Sequence, residues 1–396
     1  MKYSLIAALI VLVSLTHFSC ENNSESDISQ KMEFTDLFPK EAGKEIIYVS
    51  NVPELMATTR LTKDGNKVVV IKDGEYEISE PIRIAGDGII YRSESANRDR
   101  VILKGKGING SISRIFTISA NNFAVKDITI GEVSGNGIKI QGEKDADSLY
   151  VQNIRFYNIK SQMVVATYDE DYSSDHADYG TVENCLFELT DSKAQNNPCG
   201  GIDIYGGTDW RISNCTFKNL NSRDQKQSTG AIRFRNASKN CIAENNVIVN
   251  CDRGILFGFN NEPHSGGIIR NNMISVIRES GIYICNAKDV KVYNNTIYNP
   301  SDYPYSIECL DESGRVEIIN NLTNKNIDSN DLAVIRIENN ITHAEESWFK
   351  NVSRGNLLLA KNISEVVNSS ISLENGSHNN SNQEILYLAD IGANKR

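Results

Sequence analysis

Arg233 and Arg235 stand two residues apart in AIRFR (231–235), and thirty positions earlier Asp203 and Tyr205 stand two apart in GIDIY (201–205). Residues two apart on an extended strand share a face, so each segment turns its polar pair away from its apolar neighbours. Two guanidiniums beside a phenol and a carboxylate suit the handling of an anionic sugar. A cation neutralises the carboxylate, a base removes the neighbouring proton, and a donor protonates the departing oxygen, the three parts of a β-elimination. Arg233 and Arg235 supply the cation. Tyr205, His264 and Lys139 are the candidates for base and acid, and an arginine beside Tyr205 favours its phenolate. Asp203, Tyr283 and Arg253 are expected to touch substrate, the tyrosine rings by stacking on sugars. Plainer readings stand beside these: Arg233 with Asp203 as a surface ion pair, Lys139 as a solvated lysine, His264 as a hydrogen-bonding loop residue. The acids of loop 168–180 (YDEDYSSDHADYG) read as a solvated loop or as a Ca²⁺ site, with Asp178 and Asp203 as metal candidates.

What must position these residues is a repeat. Nine segments align on an Asn or Asp with apolar residues alternating around it: VKDITI (Asp127), VQNIRF (Asn153), VENCLF (Asn184), ISNCTF (Asn214), AENNVI (Asn245), IRNNMI (Asn271), VYNNTI (Asn294), IINNLT (Asn320) and IENNIT (Asn339). Their spacings, between 19 and 31 residues, are those of a solenoid, and the period of two makes its elements strands. A second strand recurs between them as GIKIQ, MVVAT, GIDIY, AIRFR, GILFG, GIYIC and SIECL. Short strands with polar bends in every coil describe an all-β, single-domain right-handed parallel β-helix. The 46 Asn then have a cause, because Asn tolerates left-handed backbone at tight bends and its amide bonds the equivalent Asn one rung away.

In this register Asp203, Tyr205, Arg233, Arg235 and Tyr283 project into solvent side by side on rungs about 4.8 Å apart. Lys139 lies two rungs to one side and Glu308 too far to the other. The segments 168–180 and 259–267 (FNNEPHSGG, with His264) wall the patch. Because both arginines point outward, their alanine variants are expected to lose turnover and keep the fold. Cys185 and Cys215 occupy one place in consecutive repeats and should stack; they form the pair to test for a disulfide, with buried free thiols the expected state.

Lys2 and the apolar run Leu5–Leu15 form an export signal ending at His17-Phe18-Ser19-Cys20. Residues 1–20 read as a lipoprotein-type signal peptide with Cys20 lipidated, 21–44 as a flexible tether and 45–396 as the β-helix domain. Residues 52–62 (VPELMATTRLT) have the spacing of a short capping helix at the N-terminal end of the stack. The formal charge of −10 excludes a nucleic-acid-backbone binder, so any attraction for a polyanion must be local. The expected protein is a monomer held in the cell envelope by its lipid anchor, or else secreted.

The stretches YVSNVPELMATTRLTKDGNKVVVIKDGEYEIS (48–79), GIIYRSESANRDRVILKG (88–105) and NCDRGILFGFNNEPHSGGIIRNNMI (250–274) resemble exported bacterial β-helix proteins of the pectin-lyase-like superfamily, particularly the alginate and chondroitin lyases of polysaccharide lyase family 6. That resemblance implies a uronate-containing polysaccharide as substrate and β-elimination as reaction. It also implies a Ca²⁺ held by Asn and acidic side chains, a lysine base and an arginine acid, for which Asp203, Lys139 and Arg233 or Arg235 are the matching residue types. A glycan-binding lipoprotein without catalysis, a glycoside hydrolase and a uronate epimerase are the alternatives on the same fold.

Overall fold

The computed structural model describes residues 38–168, 175–191, 199–222, 229–310, 313–329, 335–373 and 390–393. The expected signal peptide with Cys20, and the tether as far as residue 37, lie outside them. No helix among the described residues is long and apolar enough to cross a membrane.

Each coil contributes three short strands to three parallel sheets, one of twelve strands and two of ten. In one coil these are Gly200–Tyr205, Arg211–Ser213 and Thr216–Lys218. We call the corresponding sheets front, second and third. Between the second and third strands the chain turns at a single residue. At all nine aligned positions (Asp127, Asn153, Asn184, Asn214, Asn245, Asn271, Asn294, Asn320 and Asn339) that residue has φ between 51° and 59°. A left-handed residue reverses the pleat, and Asn or Asp adopts it at little cost. Each aligned segment is therefore two strands hinged at its Asn.

The residue after the hinge points inward and carries a second ladder. Along the stack, Ile154 N donates to Cys185 Sγ, Cys185 N to Cys215 Sγ (both 3.4 Å), and Cys215 N to Asn246 Oδ1 (3.0 Å). The column continues through Asn272, Asn295, Asn321 and Asn340 at 2.9–3.0 Å. The cysteines are thus ladder members, as their alignment predicts. All seven in the described residues are buried free thiols, and burial pushes that of Cys199 up to about 12. Inward-facing apolar residues fill the lumen, with Phe156, Phe187 and Phe217 stacked at 4.7 and 4.6 Å.

The one α-helix among the described residues, Val52–Leu61, starts where expected. Asn51 Oδ1 accepts from Glu54 N (2.9 Å) as the N-cap, and the Glu54 carboxylate accepts from Ser50 N (2.7 Å), one residue before the cap. Its buried Leu55 joins the core. Residues 38–44, assigned to the tether from sequence, lie against the second sheet. Phe38 meets Tyr150 edge-on at 5.2 Å, and Glu41 pairs with Arg92 at 2.8 Å. After the last coil the chain packs Trp348, Phe349, Leu357, Val366 and Ile391 against Met273 and Leu322 of the third sheet.

Candidate functional site

The outward row of the front sheet runs Lys139, Val165, Asp203, Arg233, Leu256, Tyr283, Glu308, Asp328, one residue per rung, and Tyr205 pairs with Arg235 beside it. The register is the one the sequence predicts. The exposure is not. Asp203 is 1% exposed, Arg233 7% and Arg235 9%, so these side chains leave the lumen but do not reach solvent.

Charge pairing holds them there. Arg233 donates Nε and Nη2 to Asp203 at 2.9 and 2.5 Å, and Arg235 donates Nε and Nη2 to the same carboxylate at 3.1 Å each. The other side of Arg235 faces Glu262, whose two oxygens accept from Nη1 at 2.8 and 2.5 Å. Its Nη2 also donates to the Tyr205 hydroxyl, and its guanidinium carbon lies 3.8 Å from the Tyr205 ring centroid. Phe259 lies 5.7 Å from the Arg233 guanidinium carbon and packs with Leu256 and Tyr283. The turn 259–262 thus lies over the two arginines, which sequence parity could not reveal. The expectation that the alanine variants keep the fold changes accordingly. Cutting Arg233 back would leave the buried Asp203 carboxylate with Arg235 as its remaining ion-pair partner, a destabilising change.

A second cluster continues along the row. Arg253 sits 4.8 Å from the Tyr283 ring centroid and pairs with Glu279. Its pKa is lowered, chiefly by burial and also by repulsion from Arg233, while Tyr283 and Glu308 oppose the shift. Burial pushes the Tyr283 and Tyr303 phenols up. The Tyr303 hydroxyl donates to Glu308 Oε1 at 2.7 Å, and Glu308 Oε2 is buried without a hydrogen-bond partner. Tyr283 and Arg253, both expected to touch substrate, lie side by side, with Tyr283 one rung from Glu308. Glu279, Tyr303 and Asp328 were not singled out from sequence, although Asp328 occupies Glu308's place in the next repeat.

Three expected members are elsewhere. His264 lies inside, in the short strand His264–Ser265 between Ser238–Lys239 and Ala287–Lys288. Its ring is 4.4 Å from that of Phe257, Nε2–H donates to Gly266 O at 2.9 Å, and burial pushes its pKa down to about 3. A neutral histidine in the core cannot serve a site outside it. His264 pairs with Ser238 and Ala287, both fully buried, an inner position that the lapsed apolar alternation of 259–267 does not reveal in the sequence. Lys139 remains half-buried, two rungs from Asp203 with Val165 between them, and is not brought to the arginines. Asp178 accepts from Thr208 N at 2.6 Å in a rung-to-rung ladder that also includes Asp147. It does not join Asp203. Asp203 is committed to two guanidiniums, a poor setting for a cation, and the described residues contain no group of three or more His, Cys, Asp or Glu side chains that could hold a metal ion. Asp203 and Asp178, so placed, do not fit the implied Ca²⁺. Of loop 168–180, residues 169–174 lie outside the described residues.

Residues 144–323 match the family described as "Right handed beta helix region". The fold is a right-handed parallel β-helix. Similar solved β-helices include pectate lyase Pel9A, at TM-score 0.56 and 15% identity over 89% of this chain and 96% of that one. Another is an alginate lyase from Paenibacillus sp. str. FPU-7, at 0.54 and 13% identity over 75% of this chain and 99% of that one. At such identities the likeness is one of fold, and one fold hosts many activities. No curated protein sequence matches the chain.

Proposed function

We propose that this β-helix is an exported, lipid-anchored protein that binds a uronate-containing polysaccharide along the front sheet and cleaves it by β-elimination. The observation that carries this reading is the carboxylate of Glu262 seated on Arg235 beside the Tyr205 hydroxyl. That position is built to receive a carboxylate next to a group able to move a proton. Arg235, steadied by Asp203 and Arg233, would neutralise the sugar carboxylate and acidify the C5 proton. Tyr205 would take that proton and return it to the departing O4, leaving an unsaturated uronate. His264 has no part in it, being sealed in the core, and Lys139 lies two rungs away. The lyases of similar fold act on pectate and alginate by name, which supports a uronate substrate.

The test is incubation with alginate, chondroitin, pectin and heparin while the ultraviolet absorbance of an unsaturated uronate is followed. A rise is expected with one of them, and Tyr205→Phe should abolish it with the fold intact. An unchanged rate in that variant would remove Tyr205 from the chemistry.

One observation favours hydrolysis as a second reading. Glu308 and Asp328 face outward as partners on adjacent rungs, which brings two acids together on one face, and glycoside hydrolysis uses a pair of acids. New reducing ends without the ultraviolet signal, lost in Glu308→Gln, would support it.

A further inference from the structure

The turn over the arginines is held at both ends and closed on itself. Phe259 and Glu262 exchange backbone hydrogen bonds at 2.9 and 2.8 Å, with Asn260 left-handed at φ 47°. Gly258 N is tied to Phe234 O before the turn, and Pro263 O to Ala237 N after it. Only two side chains of the turn reach the site, Phe259 and Glu262, while Asn260 and Asn261 are exposed.

The two carboxylates on Arg235 differ in kind. Asp203 is sealed beneath both guanidiniums, whereas the Glu262 side chain is 32% exposed and reaches its partner from the solvent side. Counting formal charges, Arg233 and Arg235 against Asp203 and Glu262 sum to zero; without Glu262 the sum is +1. Both Glu262 oxygens accept from the one nitrogen Nη1, a charge-assisted contact that another carboxylate can make in its place. Exchanging one carboxylate for another there conserves the hydrogen bonds, and the departing one has only to rotate into water.

We propose that Glu262 stands in for the carboxylate of the substrate: the Phe259–Glu262 turn is a displaceable cover, and the Arg235–Tyr205 position beneath it is a binding site for an acidic sugar. This rests on the uronate reading above and adds to it that the free protein holds its own surrogate ligand. Swinging Glu262 out frees Arg235 for the incoming carboxylate. Moving Phe259 with it opens the adjoining Arg233 and the Tyr283 ring, 6.2 Å from Phe259, to the next sugar along the row. Chain binding would then be opposed by the latch in every encounter, which selects for ligands able to replace it with a carboxylate.

The experiment uses full-length protein, with Glu262→Ala and the same-shaped Glu262→Gln, titrated with galacturonate and with neutral galactose by calorimetry. Both variants should bind galacturonate at least tenfold more tightly than wild type and show no gain for galactose. Adding Arg235→Gln should erase the gain. Equal galacturonate affinity in wild type and in both variants overturns the proposal, since a vacated guanidinium that takes no carboxylate is not such a site. A gain in binding with no unsaturated product from any polysaccharide would sink the lyase reading and leave the carboxylate site standing. Product formation with KM unchanged in Glu262→Gln would do the reverse.

Discussion

His264 offers the sharpest test of the described core. Its ring lies between Phe257 and the backbone of Gly266, 3% exposed, and burial lowers its pKa from 6.5 to about 3. In the unfolded chain it titrates near 6.5, so below that pH the unfolded state holds a proton the native state refuses. Stability therefore falls as pH falls, by up to about 1.4 kcal/mol per unit between pH 6.5 and 3. At pH 5 the loss from this residue reaches roughly 2 kcal/mol. Carboxylates also contribute in this range, so the quantity to read is a difference. His264→Gln keeps a donor for Gly266 O but does not titrate. Urea unfolding followed by the fluorescence of buried Trp210, at pH 7.5, 6 and 5, should show wild type losing about 2 kcal/mol relative to the variant. The native His264 ring carbon resonance should stay at its neutral position throughout. A ring that titrates above pH 5 in the folded protein, or parallel stability curves, would refute the placement and reopen His264 as a site residue.

Asn295→Ala removes four hydrogen bonds from the inner ladder, to Asn272 N and Nδ2, Ile269 O and Asn321 Oδ1, and should destabilise by on the order of 3–5 kcal/mol in thermal or denaturant melts. The buried thiols should resist a thiol reagent in the native protein and all react on unfolding, and mass spectrometry after alkylation without reductant should show Cys185 and Cys215 unlinked. A disulfide between them would contradict the hydrogen bond that Cys185 N makes to Cys215 Sγ.

The sequence by itself determined the solenoid, because one physical constraint recurs nine times. A coil that turns at one residue needs a left-handed conformation there, and Asn marks it from Asn153 to Asn339. It also determined the register, since parity about Ile202 and Ile204 decides which way Asp203 and Tyr205 point, and stacking then sets Arg233 and Arg235 beside them. The helix at 52–61 carried its own capping signal in Asn51 and Glu54. Only the tertiary structure decided what lies over those side chains. Parity separates lumen from exterior and says nothing of whether the exterior is wet. The arginines are buried because a tight turn from the next rung brings Glu262 and Phe259 across them. His264 is internal because its segment adds a rung to a minor sheet between Ser238 and Ala287, in a stretch where the apolar alternation lapses. Periodic contacts repeat in the sequence and can be read from it; single contacts between a loop and a neighbouring coil leave no period, and exist only once the chain has wound.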